Sequence, residues 1–112
     1  MTMPTQIDAP QPTARPTVAD ILGRVSYETG LSRTLIESRD RHGPVVRARA
    51  AVVWIAQRLS GASSAQIGRR LGRDHSTILA AATKAEILRG KDPAFLRLTD
   101  RIVHDFRDIK EN

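Results

Sequence analysis

The sequence predicts an all-α fold of about five to six helices. Three observations carry this. Apolar residues recur at three- and four-residue spacing from Val18 to Phe106. Capping residues precede most of these runs, and glycines or prolines follow them. No segment alternates with the period of a strand, and no internal repeat is present. A chain of 112 residues has room for one folded domain with one modest core.

Residues 1–16 hold Pro4, Pro10, Pro12 and Pro16 among Thr, Gln and Ala, which predicts a disordered Pro-rich N-terminal arm. The helical domain is expected over 17–112. Thr17 caps a first helix whose Val18, Ile21, Leu22 and Val25 share one face, and Gly30 ends it. A short helix follows, capped by Ser32 and contributing Leu35 and Ile36. The polar stretch from Glu37 to Pro44 reads as a loop, with Pro44 in the first turn of the next helix. There Val45, Ala48, Val52, Ile55 and Leu59 form an apolar stripe, while Arg47, Ala51, Trp54 and Arg58 occupy the opposite side. This spacing predicts Trp54 packed against the first or last helix. Gly61 stops the helix. Ser63 or Ser64 caps a further short helix through Ile67 and Leu71, and Gly72 permits a sharp turn.

Asp74 or its neighbour then caps a helix running to about Arg89, before Gly90. Ile78, Ala82 and Ala85 line its inner side, flanked by Leu79, Ala81 and Leu88, whereas Ser76, Ala80, Thr83 and Lys84 face away. Asp92-Pro93 opens the last helix, with Phe95, Leu98, Ile102 and Phe106 at helical spacing.

Charge is unevenly distributed. Between Arg33 and Lys91 stand 12 Lys/Arg against 4 Asp/Glu, and the rest of the chain carries 6 against 8. Ten of those 12 basic residues are arginine, the side chain suited to forked contacts with phosphate and guanine, so a polyanion is the expected partner. The absence of cysteine excludes disulfides and thiolate metal sites. The three histidines, at 42, 75 and 104, lack a ligand spacing, and no metal is expected. Asp74-His75-Ser76 contains the residue types of a hydrolytic triad. Consecutive residues at a helix start diverge, however, so no catalytic residue and no enzyme activity is expected.

The two short helical segments joined through Leu71-Gly72-Arg73 make a helix-turn-helix pattern. The second presents compact side chains, Ser76, Thr77 and Ala80, of the kind a helix needs to enter a major groove ~12 Å wide. Arg69, Arg70 and Arg73 cluster at the mouth of the turn, where phosphate contact is expected.

At Gly72-Arg73-Asp74-His75-Ser76-Thr77-Ile78-Leu79 the sequence resembles the signature of the C-terminal DNA-binding domain of the bacterial replication initiator DnaA. The likeness extends upstream to Ile67-Gly68, downstream to Lys84, and covers roughly residues 17–110. Arg47 and Arg49 match the family's Arg-Pro-Arg element. The resemblance implies an all-α helix-turn-helix domain that binds short boxes in double-stranded DNA, as a monomer per box, and regulates replication initiation or transcription. It implies base contacts, or contacts to adjacent backbone, from Asp74, His75, Ser76 and Thr77. It implies Arg41 as the minor-groove arginine with Arg39 as close competitor, and Arg39, Arg47, Arg49 and Lys84, beside the Arg69–Arg73 cluster, on phosphates.

The departures are a lone Gly72 where the family has two glycines, Ala48 for the usual proline, Ala50 for the usual glutamine, and Asp40 inside the basic loop. No G-x-x-x-x-G-K-[ST] element occurs, so the expectation is a stand-alone relative with no nucleotide and no cofactor. With no apolar run of ~20 residues and no signal pattern, the expected location is the cytoplasm, on the nucleoid, without membrane contact. Other replication proteins are a secondary expectation as partners. The rival readings are a phage or mobile-element regulator of an unrelated site, and a helical protein-interaction module acting through Trp54 or the last helix.

Overall fold

The structure, a computed structural model, describes residues 15–111, with side chains followed to Asp108. The expected N-terminal arm therefore lies outside the described residues apart from Arg15 and Pro16. Among the described residues there are six helices and no strand: α1 (Val18–Thr29), α2 (Arg33–Glu37), α3 (Gly43–Leu59), α4 (Ser64–Leu71), α5 (His75–Lys91) and α6 (Pro93–Glu111).

Each start has a local cause. The Thr17 hydroxyl accepts from the Asp20 amide at 3.0 Å while the Asp20 carboxylate accepts from the Thr17 amide at 2.9 Å, a reciprocal capping box. Ser63 and Gln66 repeat it at α4. Ser32 and Asp74 cap α2 and α5 through single hydrogen bonds to the amides of Leu35 and Thr77. Pro44 occupies the first turn of α3, where its missing N–H costs nothing.

The central element is α3, which touches each of the other five helices. Every residue from Ala48 to Ala56 is buried. The single apolar stripe expected here is thus corrected to a helix enclosed on nearly all sides. The physical reason lies in Ala48, Ala50, Ala51 and Ala56, whose small side chains let neighbouring helices approach the α3 backbone. Around it pack Ile21, Leu22, Val25, Ile36, Ile67, Ile78, Phe95 and Ile102, all fully buried. Each contributes ~1.5–3 kcal/mol relative to exposure.

Trp54 faces α5 rather than the first or last helix. Its indole N–H donates to Glu86 at 3.0 Å. The ring lies between the guanidiniums of Arg58 and Arg89, at 3.7 and 4.1 Å from its centroid. Arg89 in turn donates to the buried Thr99 hydroxyl at 2.6 Å and to Asp100 at 2.8 Å, so one arginine joins α3, α5 and α6.

α5 continues through Gly90 to Lys91, beyond the expected stop. Its end is set instead by Pro93, whose ring disfavours helical backbone at Asp92 (φ −120°, ψ 99°). Leu79 also departs from expectation. It is 45% exposed on the outer face of α5, whereas Ile78 and Ala85, with Ala81, Ala82 and Leu88 partly buried beside them, pack against the core.

Gly68 is the glycine whose closest neighbour is backbone rather than a flexible side chain. A Cβ there would stand 2.5 Å from the Arg73 carbonyl oxygen and 3.3 Å from Ile78 Cγ1. Gly68→Ala should therefore destabilise the domain by about 1–3 kcal/mol. At an open helical position the same change would stabilise. A chemical-denaturation midpoint that stays level or rises would show that α4 and α5 do not meet at this backbone.

Candidate nucleic-acid interface

The turn between α4 and α5 is closed by its own backbone. Gly72 adopts φ +70°, a left-handed conformation suited to glycine. The Arg73 amide donates to the Gly68 carbonyl at 2.8 Å and the Gly72 amide to Arg69 at 3.4 Å, the paired bonds of a Schellman motif. Two residues, Arg73 and Asp74, then lead directly into α5. The lone glycine is sufficient for this closure.

Beyond the turn, Asp74, His75, Ser76 and Thr77 are all exposed, as are Leu79, Ala80, Thr83 and Lys84 on the same outer side of α5. Asp74 is fixed in place. Its Oδ1 accepts from the Thr77 amide at 2.9 Å and from the Ser76 hydroxyl at 3.3 Å. The Thr77 amide, then its side chain and Ser76, hold the Asp74 carboxyl below the usual carboxylate range.

The loop of residues 38–42 stands next to this tip. Its conformation comes from short side chains. The Ser38 hydroxyl donates to the Leu35 carbonyl at 2.6 Å and accepts from the Asp40 amide at 3.1 Å. Asp40 Oδ1 accepts from the His42 amide at 2.7 Å and faces its ring at 2.8 Å. Asp40 thus shapes the loop from within. The His42 amide, then its side chain, keep the Asp40 carboxyl below its ordinary value. Arg39 and Arg41 are exposed on the loop, with no ion-pair partner among the described residues.

Loop and helix tip enclose an open cleft of about 740 Å³, bordered by Arg39, Arg41, Val46, Arg49, Gly72, Arg73, Asp74 and Thr77. The structure thus brings together Arg39, Arg41, Arg49, Arg73, Asp74 and Thr77, with His75 and Ser76 adjoining. Arg69 and Lys84 are exposed and unpaired among the described residues.

Three arginines are placed differently from the phosphate contacts expected of them. Arg47 donates to Asp92 at 3.1 Å and lies 5.4 Å over the Phe95 ring, bordering a separate pocket with Glu28, Arg97 and Arg101. Arg70 is paired with Glu37 at 2.6 Å. Arg49 is only 8% exposed, and its guanidinium donates to the carbonyls of Ile36 at 2.8 Å, Ser38 at 2.7 Å and Asp40 at 3.2 Å. The physical reason in each case is a nearer acceptor: two carboxylates, and the carbonyls at the end of α2 and in the loop that follows it. Sequence reasoning also missed the reach of Arg73 back to this loop, where it donates to the carbonyls of Glu37 and Ser38. The one available signal for Arg49 was a long cation flanked by Ala48, Ala50 and Ala51 on a helix otherwise destined for the core.

A tight turn between two helices, an exposed helix tip of compact polar side chains and an adjacent arginine loop define a helix-turn-helix domain of the nucleic-acid-binding class. Residues 18–85 match the family described as the bacterial dnaA protein helix-turn-helix, and the chain belongs to that family. Its domain is a DNA-binding unit rather than a catalytic one. Similar proteins include the chromosomal replication initiator protein DnaA of Caulobacter sp. strain K31, 35% identical over 94 residues, 83% of this chain and 19% of that protein. The Bradyrhizobium sp. ORS 278 protein of the same name is 41% identical over 86 residues, 76% of this chain and 18% of its own. That of Rhodopseudomonas palustris BisA53 is 37% identical over 103 residues, 91% of this chain and 21% of its own. The chain therefore spans about a fifth of the length of the curated relatives it matches. No helix among the described residues is long and apolar enough to cross a membrane.

Asp40, Asp74 and Asp92 accept hydrogen bonds that exist only in the folded chain, and all three carboxyls lie below their ordinary values. For Asp92 the Arg47 side chain is the largest cause, followed by the Phe95 amide. The unfolded value, about 3.9, is then the higher one. Their contribution to stability is complete above about pH 4 and is lost as pH falls through the lower folded values. Denaturation midpoints should hold between pH 7 and 5 and fall toward pH 2.5. Asp74→Ala should lower the neutral midpoint and flatten the acid limb. An acid limb identical in the variant would refute the capping role.

Proposed function

We propose that the domain binds double-stranded DNA sequence-specifically at DnaA-box-like sites, one monomer per site, and thereby regulates replication initiation or transcription. The single observation that carries this reading is the exposed Asp74-His75-Ser76-Thr77 tip beside the Arg39 and Arg41 loop, the two bordering one cleft. In this reading the first turn of α5 enters the major groove, where His75 and Thr77 meet base edges and Asp74 and Ser76 meet bases or adjacent backbone. Arg41 reaches the neighbouring minor groove, with Arg39 beside it. Arg69 and Lys84 hold phosphates, which position the domain without reading sequence. The name that the relatives carry, chromosomal replication initiator protein, supports the initiation side of the proposal.

Fluorescence anisotropy with a duplex carrying an initiator box, against a scrambled duplex, tests it. The box should bind at least tenfold more tightly. With about five phosphate contacts, the log-log salt slope should be near −4.5. His75→Ala should cost ~1–3 kcal/mol on the box and relax preference at one or two base pairs. Arg69→Ala should weaken both duplexes alike and reduce the slope by about 0.9. Equal weak binding to both duplexes by the unaltered protein would remove the sequence-specific part. A random-pool selection that returns no box-like motif would point to a regulator of an unrelated site.

A further inference from the structure

Two guanidiniums converge beneath the 38–42 loop. Arg49, from α3, donates to the carbonyls of Ile36, Ser38 and Asp40. Arg73, from the turn before α5, donates to the Leu71 carbonyl at 2.9 Å, to Glu37 at 3.2 Å and to the same Ser38 carbonyl. Neither has a carboxylate partner among the described residues. Like charges held this close, part-buried and against neutral carbonyls, are unfavourable unless their hydrogen bonds offset the desolvation. Burial, and for Arg49 the nearby Arg73, lower the pKa of both from the ordinary arginine value. An arginine meant only to attract phosphate has no need of such surroundings. Arg69 and Lys84 stand in open solvent.

We propose that Arg49 and Arg73 are positioning residues, a two-arginine clamp that fixes the arginine loop at a set distance from the tip of α5. The inference deepens the DNA-binding reading and rests on it: one duplex meets both elements simultaneously only when their spacing matches that of adjacent grooves. The clamp therefore governs discrimination between sites rather than general attraction to DNA. Its geometry requires a fork of donors, which arginine supplies and lysine, with the same charge, does not.

Arg73→Lys, in the full chain, separates this role from a phosphate contact. The affinity for the box duplex should fall at least tenfold, with affinity for the scrambled duplex and the salt slope unchanged. Independently of DNA, the amides of Asp40 and His42, which the loop protects, should exchange hydrogen at least tenfold faster, with those of α3 and α6 unaffected. Arg49→Lys should do the same. Because it is the more buried site and its variant can fail to fold, the Arg73 variant and the exchange rates decide. Arg101→Lys, on α6 and paired with Glu28 away from the cleft, serves as the control that changes neither. An Arg73→Lys protein that keeps its box-to-scrambled ratio within twofold, or whose loop amides exchange at the original rate, overturns the proposal. Should the unaltered protein not discriminate between duplexes, the specificity role falls with the DNA-reading proposal, and the exchange rates alone test the clamp.

Discussion

The Ser38 carbonyl accepts from two arginines at once, and the arrangement of the candidate interface follows from that shared acceptor. Arg49 ties the loop to the most buried helix of the molecule, and Arg73 ties it to the turn that aims α5. A loop of five residues between two helices would otherwise be the least constrained part of the surface. Here the carbonyls of Ser38 and Asp40, which water could have satisfied, are taken up by the two arginines. Hydrogen bonds to a charged donor are stronger than neutral ones, roughly 1.5–3 kcal/mol each, so a few suffice to hold a short segment.

The rest of the fold makes this possible by keeping α3 immobile. Its alanine-rich surface admits five neighbours at close range, and its one large aromatic, Trp54, is held between Arg58 and Arg89 with Glu86 accepting its N–H. Arginines thus do three kinds of work in this chain. Some stack and pair across helices, two support a loop from below, and others stand free at the cleft. A basic composition by itself says nothing of how these are shared out.

Much of the fold was legible in the sequence, because helix starts and stops are local matters. Thr17, Ser32, Ser63, Asp74 and Gly72 cap or close the helices expected of them. What sequence could not resolve was long-range. Periodicity placed Trp54 and Ala51 on an outer face, since the number of neighbours around α3 is a property of the assembled bundle. Gly90 read as a stop, although glycine ends a helix only when the backbone turns left-handed, and here Asp92-Pro93 determines the end. At the candidate interface the expected helix tip is exposed, whereas the partners of Arg47, Arg70 and Arg49 lie 45, 33 and 9 to 13 residues away in sequence. Spacing rules do not reach that far.

Asp74 carries a consequence of its own. One of its two oxygens is occupied by the Thr77 amide and the Ser76 hydroxyl, leaving Oδ2 without a hydrogen-bond partner among the described residues. A carboxylate held ionised can receive a proton-bearing group but has none to offer. The foremost point of the helix is therefore chemically one-sided, receptive to an amino edge such as that of cytosine and repellent to lone-pair-rich atoms. The residue that starts the helix also imposes a polarity on whatever approaches it.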